Sequence, residues 1–145
     1  MNKLLQLILC LFGVGIFPHT CLASCKGCLE MDHLTFDKIL RRFPAAIVKF
    51  DIAYPYGDKH EAYSEFAANV AEQVDDLAVA VVGIKDYGEL DNSNLGKRFK
   101  VRDVYPDIKL FVGGNFDKWI DYPTGLSLLF VTAVSVFNLQ SNFYL

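Results

Sequence analysis

Hydrophobic and polar positions change period along this chain at recognisable stops. Residues 35–43 place Phe36, Ile39 and Leu40 at helical spacing, with Arg41 and Arg42 near the end and Pro44 as the stop. Thr35 or Asp32 offers an oxygen to cap the start of that helix. Residues 45–52 follow as an almost wholly apolar strand (Ala46, Ile47, Val48, Phe50), a pattern that predicts burial on both faces. Ala53-Tyr54-Pro55-Tyr56-Gly57 is turn-rich, and residues 58–74 read as a longer helix, apolar at Tyr63, Phe66, Ala67, Val70 and Val74. A second continuous apolar strand spans 77–84, a polar loop 86–94 and a short helix 94–99. Val104-Tyr105-Pro106 leads into a strand at 108–112, Gly113-Gly114 turns the chain, and 116–122 returns as a last, antiparallel strand.

Buried strands separated by helices call for a parallel pair with a right-handed crossover, and the terminal hairpin adds antiparallel strands. The predicted fold class is therefore α/β, a mixed sheet with helices on both faces, in outline the thioredoxin architecture. No internal repeat or linker divides the region.

The two ends differ from this middle. Asn2 and Lys3 precede an apolar run over 4–17, Pro18-His19-Thr20 ends it, and Cys21-Leu22-Ala23-Ser24 offers small residues for cleavage. That is the pattern of a secretory signal peptide over 1–23, with the folded domain expected over 24–125. Residues 126–145 carry no charge, and 126–137 are apolar except for Ser and Thr, too short a run to span a bilayer. No polar stripe marks this tail, so the last helix of a complete thioredoxin fold is expected to be replaced by an atypical apolar segment. A net charge of −3 with no basic run argues against nucleic acid as a partner. The 145-residue length suits one domain.

Of 4 cysteines, Cys10 and Cys21 fall within the signal segment or at its edge, leaving Cys25 and Cys28. Cys25-Lys26-Gly27-Cys28 admits a redox pair or half a zinc site. It lies ahead of the first predicted helix, without helix-dipole activation, and no second Cys or His pair completes a metal site. A local disulfide, or two idle thiols, is the expected reading; no metal or cofactor is expected. Tyr54 and Tyr56 straddle Pro55, and Tyr87 lies in the polar loop after the second strand. In a thioredoxin-type sheet these loops meet at one edge, where an aromatic cluster rimmed by Asp51, Asp58 and Asp86 suits extended polypeptide.

FDIAYPYGDKHEAY and VGIKDYGEL, with the opening CKGCLEMDHLTFDKILRRFP, are very similar to redox-inactive endoplasmic-reticulum thioredoxin-like proteins of the PDI-D type, their insect form in particular. The resemblance runs from about Cys25 to Gly125. It implies a non-enzymatic chaperone or escort factor of the reticulum lumen that forms homodimers and helps secretory clients mature or leave. For the insect form the clients include a Golgi sulphotransferase. It implies that the two redox cysteine places are held by Pro55 and Asp58, and that Pro106 is a cis-proline. It also implies client binding by Asp51, Tyr54, Tyr56 and Tyr87, and a dimer surface at Gly27, Cys28, Leu29, Asp32 and Arg42. The family's C-terminal helical domain and retention tetrapeptide have no counterpart in the sequence, which reads as a truncated or alternative product with secretion open to it. The competing reading is a thiol-disulfide oxidoreductase using Cys25 and Cys28.

Overall fold

Eight residues of strand β2 (Ala45–Ile52) carry too much apolar surface to leave either side in water, so the rest of the chain is layered around it. The computed structural model describes residues 25–85 and 92–122. In chain order its other elements are β1 (Leu29–Glu30), α1 (Phe36–Leu40), α2 (Asp58–Gln73), β3 (Leu77–Lys85), α3 (Ser93–Arg98), β4 (Asp107–Val112) and β5 (Trp119–Asp121). The sheet order is β1-β3-β2-β4-β5. Strands β1 and β2 run parallel to β3, whereas β4 is antiparallel to both β2 and β5. The mixed sheet with helices on both faces agrees with the pattern of apolar runs.

Side chains of period two divide β2 between two cores. Ala45 and Ile47 join Leu77, Val79, Ile108 and Leu110 beneath Tyr63, Phe66, Ala67 and Val70 of α2. Ala46, Val48 and Phe50 join Ala78, Ala80, Val82 and Phe111 on the opposite face, against α1 and α3. That second core is an aromatic stack: Phe99 lies 4.9 Å from Phe36, 5.2 Å from Phe111 and 5.6 Å from Trp119, centroid to centroid. On the α2 side, the buried Tyr63 hydroxyl reaches the carbonyls of Ala80 at 2.9 Å and Ile47 at 3.2 Å, pinning the helix across β3 and β2. Burial pushes this phenol's pKa far up, so the hydroxyl stays a donor.

Several boundaries differ from the sequence reading. Helix α1 is five residues long rather than running over 35–43, because its end tightens: Arg42 N–H bonds Ile39 O and Phe43 N–H bonds Leu40 O, each three residues back. The last strand covers Trp119–Asp121 rather than 116–122. Ahead of it, the Asn115 carboxamide accepts from Asp117 N–H, and Phe116 is turned between the guanidiniums of Arg41 and Arg98. The short β1 went unread; two residues show no period. Residues 1–23, the tail over 126–145, and Asp86 and Tyr87 lie outside the described residues. Among the described residues no helix is long and apolar enough to cross a membrane.

Phe36 is fully buried amid three other phenylalanine rings, so Phe36→Ala should cost about 3–5 kcal/mol, measured as a lowered urea midpoint at unchanged slope.

Candidate functional site

The chain between β2 and α2 must reverse over residues 53–57, and its sequence decides how. Pro55 stiffens the turn, and Gly57 takes φ +86°, which side chains rarely tolerate. The Gly57 carbonyl then accepts from His60 and Glu61 N–H, starting α2. Asp58 is the first helical residue, an acid where the helix dipole favours one. The turn holds Tyr54 54% exposed and Tyr56 86% exposed.

Facing it across the sheet edge is the segment that enters β4. The Tyr105–Pro106 peptide bond is cis. Between the two segments lies a groove of about 550 Å³ whose walls are Pro55, Tyr56, Asp58 and Lys59 on one side and Tyr105 and Pro106 on the other. A wider cavity of about 730 Å³ lies behind the turn, bordered by Tyr54, Met31, Glu30, Asp32 and Asn92. Tyr54-Pro55-Tyr56 is thus a ridge between two concavities, and Asp51, Ile52 and His60 border both.

Beneath the ridge sits a buried cation. Lys49 has no solvent exposure; its Nζ lies 3.0 Å from Asp51 Oδ2, 3.1 Å from His60 Nδ1 and 5.1 Å from the centre of the Tyr63 ring. Burial pulls the ammonium pKa down and the Asp51 carboxylate pulls it partly back. Asp51 is 7% exposed, which corrects its expected place on the rim: it is the floor, turned inward because Lys49 needs an anion on the same strand face.

A second ionic cluster holds the opposite wall. Asp107 is fully buried, and its carboxylate accepts from the Arg102 backbone N–H (3.1 Å), Nε (3.0 Å) and Nη2 (2.6 Å) and from Lys109 Nζ (3.1 Å). Lys109, 1% exposed, also pairs with Asp121 of β5. Burial alone would raise the Asp107 pKa, but the Arg102 hydrogen bonds and Lys109 outweigh it and hold the carboxyl below its ordinary value. Tyr105 is pushed up by burial and by the carboxylates of Asp103, Asp51 and Asp107. Neither ionic cluster, nor buried His60, was foreseen from the sequence. The available signal was Lys-x-Asp in one strand and Asp-x-Lys in another, opposite charges two apart on one strand face.

Cys25 and Cys28 form a disulfide. The loop they close lies flat on α2: Gly27 has φ +83°, and a Cβ there would stand 2.9 Å from the Ala67 carbonyl oxygen. Cys25 belongs to the α2-side core and Cys28 packs against it. Leu29, 37% exposed, lies on the edge strand β1. The exposed Asp32 accepts from Thr35 Oγ1 (2.8 Å), Thr35 N–H (2.8 Å) and Leu34 N–H (2.9 Å), bonds that lower its pKa, and Thr35 Oγ1 accepts from Asp32 N–H in return. This reciprocal pair braces the turn into α1. Arg42 is exposed. Among the described residues no three His, Cys, Asp or Glu side chains gather as a metal site.

The ERp29 N-terminal domain model matches residues 23–144. The chain belongs to the ERp29 N-terminal domain family. It is 47% identical over 117 residues to protein windbeutel of Drosophila melanogaster, an alignment covering 80% of this chain and 45% of that protein. The chain thus spans less than half of its curated relative's length. In structure it resembles the first thioredoxin domain of mouse protein disulfide-isomerase A4 (TM-score 0.56, 20% identity, 75% of this chain and 76% of that one). It also resembles human ERp44 in its zinc-bound form (TM-score 0.57, 19% identity, 72% and 28%). At such identities these two likenesses establish the thioredoxin-like fold. The ERp29-family assignment makes this a thioredoxin-like chain of the protein disulfide isomerase group of the endoplasmic reticulum.

Because Asp107 titrates lower folded than unfolded, its stabilising contribution is complete above the ordinary carboxylate pKa of about 3.9 and is lost as pH falls through the folded value. Asp107→Asn should therefore flatten the fall in stability below about pH 4, read from urea midpoints across an acid pH series.

Proposed function

We propose that this domain is a non-enzymatic polypeptide-binding module of the reticulum lumen, capturing extended segments of secretory clients on the Tyr54-Pro55-Tyr56 ridge and in the groove it makes with Tyr105 and Pro106. The observation that carries this reading is the exposure of two tyrosine rings on a braced turn beside a groove of about 550 Å³. Large rigid rings bury area at low entropic cost, and their faces accept many side chains without demanding one sequence. The start of α2, where a thiol would gain from the helix dipole, offers Pro55 and Asp58, which carry no sulfur. Asp51 then serves as the anion that settles the floor, and Tyr87 joins the client surface on the resemblance alone.

The domain acts as a homodimer in this reading, through the β1 edge and the turn beyond it: Gly27, Cys28, Leu29, Asp32 and Arg42. Leu29, on an edge strand, supports that choice. A second reading, thiol-disulfide exchange by Cys25 and Cys28, has in its favour their existing bond and the position of Cys25 beside the wider cavity. Against it, Cys25 is 7% exposed and precedes a strand rather than opening a helix.

Tyr54→Ala combined with Tyr56→Ala should weaken capture of a fluorescently labelled, aromatic-rich extended peptide by about tenfold or more, at unchanged circular dichroism. Undiminished capture overturns the site. Insulin-reduction activity that disappears in Cys25→Ser would replace the leading reading with the second.

A further inference from the structure

The ridge that carries Tyr54 and Tyr56 is braced by a glycine cap and a proline, but the opposite wall is irregular backbone from 101 to 106. Such a segment has no ladder of its own to hold it. Its Tyr105 and Pro106 nevertheless line the groove, and Val104 beside them is 66% exposed. Val101 and Tyr105 rest against the core, Val101 N–H bonds Gly96 O, and a carboxylate at the far end closes the stretch between them. Asp107, with no exposure, reaches back five residues and takes both the backbone N–H and two guanidinium donors of Arg102. The carboxylate is itself anchored by Lys109, which is tied to Asp121 on β5. A chain of alternating charge therefore runs from the sheet edge to the groove wall.

Resting on the polypeptide-binding reading above, we propose that Arg102 and Asp107 are positioning residues of the groove. Their clamp closes residues 102–107 into a loop of one shape, so that Tyr105 and Pro106 stand ready before a client arrives. Neither residue needs to touch the client. The gain is preorganisation: a wall already ordered gives up less entropy on binding.

Arg102 lends itself to a test that separates positioning from stability. Its side chain is half exposed while Asp107 is fully buried, so the guanidinium can be removed without opening the core, at the loss of a donor to a buried carboxylate. In Arg102→Met the apolar stem remains and Asp107 keeps Lys109, so no buried carboxylate is orphaned. Amide hydrogen exchange at position 102, whose N–H is held by the Asp107 carboxylate, should accelerate about tenfold in the absence of peptide. Affinity for the aromatic-rich peptide should fall about five- to tenfold, measured well below the melting temperature of the variant. Arg102→Lys keeps the charge but not the forked geometry, and should recover only part of the affinity. Exchange unchanged in Arg102→Met overturns the clamp. Faster exchange with wild-type affinity overturns its role in binding. Should the wild-type chain not bind the peptide, the polypeptide-binding reading falls, and with it the positioning role; the exchange data then report only whether the loop is clamped.

Discussion

A strand covered on both faces cannot leave a charge unanswered, and this sheet has two neighbouring strands that each carry a buried lysine and a buried aspartate two residues apart. On β2, Lys49 points toward α2 and is answered by Asp51 and His60. On β4, Asp107 and Lys109 point to the other face and answer each other. The strands are antiparallel neighbours, with Phe50 opposite Asp107 and Val48 opposite Lys109, so the ionic pairs lie close to one another on opposite sides of the sheet. Each pair sits at the end of its strand that meets the groove. The arrangement makes groove and core one structure: the groups that neutralise the sheet's interior also form the groove's floor and hold one of its walls.

That coupling explains which parts of the molecule were legible in its sequence. The apolar runs at 45–52 and 77–84 have no reading but buried strands, and the spacing of Tyr63, Phe66, Ala67 and Val70 fits one helix face, which the core confirms. Boundaries set by particular side chains were not legible. Asn115 and Phe116 shorten the last strand through an Asx turn and two guanidinium contacts that no propensity encodes. The site was half visible. Tyrosines on either side of a proline announce an exposed ridge, and both are exposed. A lysine in an apolar strand reads as an interruption until its partners are known, and His60 reads as a helix-surface residue until the strand beneath presents an ammonium to it.

Asn92 shows the same limit at the level of backbone. Its carboxamide donates to Gly83 O at 2.8 Å and accepts from His33 N–H at 3.0 Å, joining β3 to the turn before α1. With Asp32 and Thr35 it frames the wider cavity. An asparagine in a polar stretch suggests a turn, and its φ of +52° fits one. That it ties together elements 59 residues apart depends on the fold being already formed.

The electrostatics of the groove follow from the same pairs. Lys49 cancels Asp51 at the floor, so the buried centre of the site presents little net charge to a ligand, while the ridge above offers ring faces. Had the floor held an unpaired carboxylate, it would have favoured one cationic side chain and penalised apolar ones through desolvation. In the polypeptide-binding reading, a neutral floor under aromatic walls suits many sequences without demanding one. Affinity in such a site must come from shape held in advance rather than from a single strong contact. If the domain binds polypeptide as proposed, the bracing of the walls, by Gly57 and Pro55 on one side and by Asp107 with Arg102 on the other, weighs on that binding alongside the ring faces a client would touch.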